Sequence, residues 1–205
     1  MVMMPENASE LRVLDVACGE GVFGESLKEK FHGKCYVHGI DISENALKHA
    51  GRFYDATSQL NIEYANLQDY LKGDRFDYIV CLEVLEHLFN PTAVLENVKT
   101  FLKEGGYLIT SFPNIAWWKY RLDLLKGDFP RGYTLFGPEE HIQNFTLSSF
   151  KELLKATDFE LVEINTHYSF PKLLRPVRKC LIKYVSLFGY QIVIKAKDSV
   201  QHRDG

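Results

Sequence analysis

The chain has 205 residues, 46% apolar and 25% charged, with 24 basic against 27 acidic side chains and a net charge of −3. That length fits one domain with a full core, and so even a balance excludes a global field that would recruit nucleic acid. No run of about 18 apolar residues could span a bilayer, Met1–Glu10 lacks the hydrophobic stretch of a secretory signal, and Cys18, Cys35, Cys81 and Cys180 show no C-x-x-C spacing for a zinc or redox pair.

These exclusions point to a cytoplasmic protein with free thiols. Leu11–Val16 reads as a first buried strand, followed by a helix from about Gly21 to Lys30. Cys35–Ile40 is a second strand, and Ser43 is a good N-cap for a helix over Glu44–Gly51. Ile62–Ala65 is expected as a third strand. Phe76–Leu82 is a fourth, with the continuous apolar core of a strand covered on both faces. Asn90-Pro91 supplies an N-cap and a first-turn proline for a helix to about Leu102. Gly105-Gly106 should end that helix, and Tyr107–Ser111 should form the fifth strand.

This alternation predicts an α/β fold with a doubly wound, mostly parallel sheet, and ligands bind such sheets at the strands' C-terminal ends. After Ser111 the pattern changes. Residues 113–145 read as an aromatic, turn-rich insertion carrying Trp117, Trp118 and Tyr120. Thr146 can cap a helix through Lys155. Phe159–Asn165 and Tyr190–Ala196 read as closing strands, with an extra helix between them.

The most informative stretch is Val13-Leu14-Asp15-Val16-Ala17-Cys18-Gly19-Glu20-Gly21, which passes from strand to glycine turn to helix. Glycine lets the backbone turn sharply and approach a ligand with no Cβ in the way, and the helix start offers a positive dipole end. Asp41 follows the second strand, where a carboxylate can accept hydrogen bonds from both ribose hydroxyls. Together they specify an adenosine-type ligand. Gly19-Glu20-Gly21-Val22-Phe23-Gly24 also spells the dinucleotide fingerprint G-x-G-x-x-G. Its register is wrong for a dehydrogenase, because Ala17-Cys18 intervene between strand and first glycine. Asp15 makes most sense facing the pocket, paired with loop amides or a ligand ammonium.

Val13–Gly21 resembles the first motif of class I S-adenosylmethionine-dependent methyltransferases. Asp41 in H-G-I-D-I-S matches their acidic ribose-binding residue. Phe76–Leu88 (F-D-Y-I-V-C-L-E-V-L-E-H-L) is similar to their fourth-strand signature, and the Gly105-Gly106-Tyr107-Leu108 turn fits as well. The resemblance covers Leu11 to Phe112. It implies a Rossmann-like, seven-stranded sheet with one antiparallel strand near the C-terminus. It also implies S-adenosyl-L-methionine as methyl donor, with S-adenosyl-L-homocysteine as product. In that family's manner, Asp15 and the backbone of Ala17, Cys18, Gly19 and Gly21 would hold the methionine part. Asp41 would hold the ribose, Ile42 would pack on the adenine, and Asn66 and Leu67 would line its edge. Leu82 and Glu83 would sit beside the sulfonium, and His87 belongs to the same motif. Ala17 stands where a glycine is usual, and Asn66 where an Asp often contacts the adenine.

Methyl transfer from a sulfonium needs alignment, water exclusion and an acceptor lone pair, and a hydroxyl acceptor also needs a base. No metal is required. Cys81-Leu82-Glu83 is not the Asn-Pro-Pro-Tyr type of loop that grips nucleobase nitrogens. Ser111–Asn114, Trp117, Arg121-Leu122 and Leu124–Gly127, with His141–Thr146, resemble a bacterial subgroup of methionine-biosynthesis-associated and surface-glycan methyltransferases. A sugar or other small hydroxyl-bearing acceptor is therefore expected. His141 is the first choice of base, against an alternative role anchoring its loop, and His87 is the second. Trp117 and Trp118 either stack on the acceptor or pack an inserted helix. Glu83 and Glu86 could be no more than helix-terminal carboxylates.

From Ile164 to Lys197 there is no acidic residue, and residues 172–183 interleave Lys172, Arg175, Arg178, Lys179 and Lys183 with apolar side chains. This basic amphipathic segment could rest on an anionic membrane surface, or simply pack on the sheet edge. Competing functions are an RNA or protein methyltransferase and a non-catalytic cofactor-binding module. Only about ten residues precede Leu11, so a lid over the cofactor is expected to be short, absent or supplied by another chain.

Overall fold

A computed structural model describes residues 3–5, 10–129, 141–171, 173–174 and 178–199. Strands and helices alternate as β1 (Leu11–Val16), α1 (Val22–Lys30), β2 (Cys35–Asp41), α2 (Glu44–Ala50), β3 (Ala56–Gln59), α3 (Leu67–Leu71), β4 (Phe76–Leu82), α4 (Pro91–Lys99) and β5 (Leu102–Pro113). There follow α5 (Trp118–Leu125), α6 (Leu147–Ala156), β6 (Phe159–Tyr168), two short helices α7 (Arg178–Leu181) and α8 (Val185–Phe188), and β7 (Gly189–Asp198).

The strands form one seven-stranded sheet in the order β3-β2-β1-β4-β5-β7-β6. The first five pair in parallel, and β7 alone runs antiparallel to its neighbours β5 and β6. This is the Rossmann-like sheet with one reversed strand that the sequence predicts. Strand side chains alternate between two cores, as a period of two demands. Leu14, Val16, Ile79 and Cys81 face a core shared with Leu67, Val94, Leu95, Val98 and Phe150. Val13, Val37, Tyr78 and Val80 face the other, with Leu27, Leu47 and Ala50. Chain order reverses direction between β1 and β4, so their C-terminal ends open the crevice where such folds bind ligands.

Three expectations need correction. The third strand is Ala56–Gln59, not Ile62–Ala65. Its Ala-Thr-Ser-Gln sequence carries no apolar signal because it is a half-exposed edge strand, whereas Ile62 is buried from a turn leading into α3. Helix α4 stops at Lys99, and Leu102 already pairs with Phe76 as the start of β5. Gly105-Gly106 therefore sits inside that strand, at a register shift where the next partner of β4 is Tyr107. Gly105 takes a left-handed φ of 73° to allow it. Between the closing strands, α7 and α8 replace the single expected helix. Lys172 and residues 175–177 of the basic amphipathic segment lie outside the described residues, as do residues 130–140 of the insertion. No helix among the described residues is long and apolar enough to cross a membrane.

Candidate active site

The glycine loop leaves β1 through a run of left-handed backbone: Ala17 at φ 56°, Gly19 at 54° and Gly21 at 93°. For Ala17 that conformation costs roughly 1 kcal/mol, a strain of the kind that concentrates at binding sites. The loop is held by the Cys18 amide donating to the Ile40 carbonyl (2.9 Å) and the Gly21 amide to the Cys18 carbonyl (3.1 Å). Beside it lies a cavity of about 710 Å³ lined by Asp15, Ala17, Cys18, Gly19, Glu20 and Leu82, with Phe23, Ile109, Asn165 and Val193 on its walls. Met3 and Met4, each 5% exposed, also line the cavity, as do Val22 and Ser26, so two residues that precede β1 contribute to its wall. The Lys30 ammonium bonds the Met4 carbonyl at 3.0 Å and that of Lys195 bonds Met3 at 2.9 Å. Among the expected alternatives of a short, absent or borrowed lid, Met3 and Met4 correspond to the short one.

Asp15 is 3% exposed at the end of β1, and one of its oxygens accepts the hydroxyl hydrogen of Tyr54. Burial pushes its carboxyl up to about 7, the Tyr54 bond acting against that rise and the Asp41 charge adding to it. Asp41 bridges loop and helix, accepting from the Gly19 amide and the Ser43 amide, each at 2.8 Å. Ile42 next to it is 64% exposed and free to cover a flat ring. Asn66 caps α3, its side-chain oxygen accepting from the Gln68 amide at 3.3 Å. The Leu67 side chain is fully buried in the core, so only its backbone can meet a ligand. Gly21 faces Ala50 and Tyr54 rather than the cavity.

Gly24 shows why the G-x-x-G spacing exists here. A Cβ built on it would stand 2.4 Å from the Tyr54 ring. Alanine in place of a helical glycine ordinarily gains up to about 1 kcal/mol, but forcing the ring aside costs about 1–3 kcal/mol. Gly24→Ala is therefore expected to lower the urea midpoint of unfolding, and a raised midpoint would show that Tyr54 can move.

At the end of β4, Leu82 reaches the cavity while Glu83 turns away in a left-handed conformation, φ 53°. Its carboxylate accepts the Ser111 hydroxyl of β5 at 2.6 Å, and its amide bonds Ser111 in return. A 3₁₀ turn, Leu85–His87, follows. The carbonyl of Glu86 accepts the amides of both Ile142 and Gln143 at 2.8 Å, clasping the two segments together. His141, 6% exposed, thereby lies with its ring centre 4.8 Å from that of His87. Glu86 is 1% exposed, and neither carboxylate oxygen has a hydrogen-bond partner among the described residues. Burial pushes its carboxyl up to about 8. Glu86, His87 and His141 each offer a ligand atom, all within 4.8 Å of one another.

Of the residues expected at the cofactor, Asp15, Ala17, Cys18, Gly19 and Leu82 line the cavity, whereas Asp41, Ile42, Asn66, Leu67 and Glu83 do not, and Glu20, Ser26 and Asn165 line it without having been foreseen. His87 belongs with His141 and Glu86, one turn beyond β4, rather than to the cavity lining. Tyr54 was missed, as was the pairing of Ser111 with Glu83. Trp117 is buried against Tyr120 and Tyr190, and the Trp118 indole donates to the Ser169 carbonyl, so both pack internally. Asn114 anchors the start of this region, its amide donating to the Ser186 and Gly189 carbonyls.

Residues 1–164 match the family described as a methyltransferase domain. The chain is 31% identical over 168 residues to a ubiquinone biosynthesis O-methyltransferase of Glaesserella parasuis, covering 78% of this chain and 70% of that one. It is 32% identical over 156 residues to the protein of that name from Idiomarina loihiensis, covering 74% and 61%. Among solved structures it resembles an S-adenosylmethionine-dependent methyltransferase from Mesorhizobium loti, with a TM-score of 0.64 at 19% identity over 95% of this chain and 94% of that one. It also resembles the plantazolicin methyltransferase BpumL in complex with S-adenosylhomocysteine, with a TM-score of 0.61 at 19% identity over 92% and 77%. With the glycine loop, the Asp41 bridge and the reversed seventh strand in place, the chain belongs to the class I S-adenosylmethionine-dependent methyltransferases.

Proposed function

We propose that the enzyme methylates a hydroxyl oxygen of a small-molecule acceptor, with His141 taking the hydroxyl proton. The observation that carries this reading is the clasp that buries His141 beside His87 at the end of β4. Glu86, whose carbonyl makes the clasp, follows Leu82 by four residues, and Leu82 lines the cavity. The resemblance to ubiquinone biosynthesis O-methyltransferases supports the same atom class. The apolar walls from Met3, Met4, Ile109 and Val193 suit an acceptor with an apolar body.

In the reaction an oxygen lone pair attacks the methyl carbon in line as the carbon–sulfur bond breaks. The sulfonium becomes a neutral sulfide, and the oxygen's proton passes to His141 before or during transfer. Asp15 and Asp41 hold the donor, and the strap of Met3 and Met4 keeps water out. His141→Gln is expected to lower kcat by about 10²–10³ with cofactor Kd unchanged, using release of S-adenosylhomocysteine on a panel of sugars and phenols. Undiminished turnover would leave the histidine as a loop anchor.

A second reading is favoured by the buried Glu86 carboxylate, which has no hydrogen-bond partner among the described residues and whose ligand atom lies within 4.8 Å of those of His87 and His141. A divalent cation held by Glu86, His87 and His141 would lower the pKa of a bound acceptor hydroxyl and so do the work of a base. Titration with Mg²⁺ or Zn²⁺ distinguishes the two. A one-to-one isotherm lost in Glu86→Gln, with turnover abolished by chelator, selects the metal, and chelator-insensitive turnover selects His141 alone.

A further inference from the structure

We propose that Tyr54 is a positioning residue of the cofactor site, holding the Asp15 carboxylate for the ammonium group of S-adenosylmethionine. The inference rests on the methyl donor and is independent of the acceptor chemistry proposed above.

Tyr54 lies between α2 and β3, outside every motif of the cofactor site, and is 8% exposed. Its ring fills a slot left by three glycines from three places in the chain. A built Cβ would meet it at 3.0 Å from Gly21, 2.4 Å from Gly24 and 2.8 Å from Gly39. Those glycines therefore serve the tyrosine at least as much as the ligand. The hydroxyl at the far end of the ring accepts the Gly24 amide at 3.1 Å and donates to Asp15. One side chain thus links the first turn of α1 to the carboxylate at the end of β1.

The surroundings of Asp15 make that donor matter. The groups facing it are the Tyr54 hydroxyl, the Cys18 thiol of the loop, the Cys81 thiol of β4 and the Asp41 carboxylate of β2. Burial pushes both thiols up, Cys18 to about 12, so they stay neutral. Burial and the Asp15 charge push the Tyr54 hydroxyl up as well, so it remains a donor at any working pH. Among the described residues no lysine or arginine pairs with Asp15. A desolvated carboxylate with one donor and no cation is an incomplete site, and the cofactor's ammonium is the charge that completes it. A packed ring with a fixed hydroxyl sets the direction in which the second carboxylate oxygen points, which is what positioning requires.

The test is calorimetric titration with S-adenosylmethionine across pH 5.5–9, on the native protein, Tyr54→Phe and Asp15→Asn. Phenylalanine keeps the ring in its slot and removes only the hydroxyl. The expected result is a Kd about tenfold higher at neutral pH, with the pH midpoint of binding moved upward because Asp15 loses the bond that favours its ionised form. Asp15→Asn still accepts from Tyr54 but should bind without that pH midpoint. A Tyr54→Phe protein with native Kd and native midpoint overturns the proposal, as does one whose melting temperature falls while the midpoint stays. An acid-side midpoint, with affinity rising as pH rises, that survives in Asp15→Asn also overturns it, since loss of the ligand ammonium's own proton weakens binding only on the alkaline side. Absence of binding by the native protein at every pH would count against the cofactor site itself and not against Tyr54.

Discussion

Asp41→Ala is expected to raise the Kd for S-adenosylmethionine at least about a hundredfold, a loss near 3 kcal/mol, measured by calorimetry with NAD as the control ligand. The carboxylate is already committed twice, to the Gly19 amide and the Ser43 amide at 2.8 Å. A carboxylate has about four lone-pair sites, so both ribose hydroxyls can be accepted without giving up either contact. Alanine would remove the ribose bonds expected of Asp41, each worth about 1.5–3 kcal/mol when the acceptor is charged. It also frees the loop that those amides pin to β2. Asp41→Asn separates the two effects, because one amide oxygen still accepts from the backbone while the ribose meets a neutral partner. An affinity for Asp41→Ala within threefold of native would remove Asp41 from the ribose site. NAD should bind none of these proteins.

The second large effect concerns Asp15 and the stability of the cofactor-free enzyme. Burial lifts its carboxyl from 3.8 to about 7 in the folded chain. Below about pH 4 both states carry the proton and nothing changes. Between pH 4 and 7 the folded state keeps a proton that the unfolded state has lost, so each pH unit lowers the unfolding free energy by about 1.4 kcal/mol. Above pH 7 the loss levels off, on the order of 4 kcal/mol in total. Carboxylates in ion pairs, such as Asp198 with Lys99, trend the other way, so the clean quantity is the difference between native and Asp15→Asn. In urea unfolding, Asp15→Asn should overtake the native protein as pH rises from 5 to 8, and yet bind the cofactor more weakly. A difference independent of pH would mean that Asp15 ionises in its ordinary range. Stability is here sacrificed at a binding site, a common arrangement in enzymes.

Much of this was legible in the sequence, and the limits have physical reasons. β1 and β4 were bounded to the residue because each is mostly apolar and its central residues are buried on both faces. β3 was misplaced because half-exposed edge strands need no hydrophobic signal. Asp15 and Asp41 stood out because each is a carboxylate in the last two residues of a strand. Tyr54 was hidden, since its role depends on three glycines that meet only after folding. His141 and Glu86 were both named from the sequence, but their meeting was not legible, because it rests on the Ile142 and Gln143 amides bonding the distant Glu86 carbonyl. Periodicity reports which face of an element is buried, and it is silent on what crosses from one element to another.

The strap of Met3 and Met4 sets conditions on catalytic timing. Its carbonyls are tethered by Lys30 from α1 and Lys195 from β7, and Lys195 is also held over the Tyr107 ring at 4.1 Å. Spent cofactor leaving past this strap must first break both tethers, a slower event than transfer between atoms already aligned. Mixing enzyme and cofactor with excess acceptor should then give a rapid burst of methylated product, one equivalent per site, followed by a slower linear phase. In Lys195→Met the linear phase should quicken while the burst keeps its rate, which places the slow step at the door and not at the sulfur.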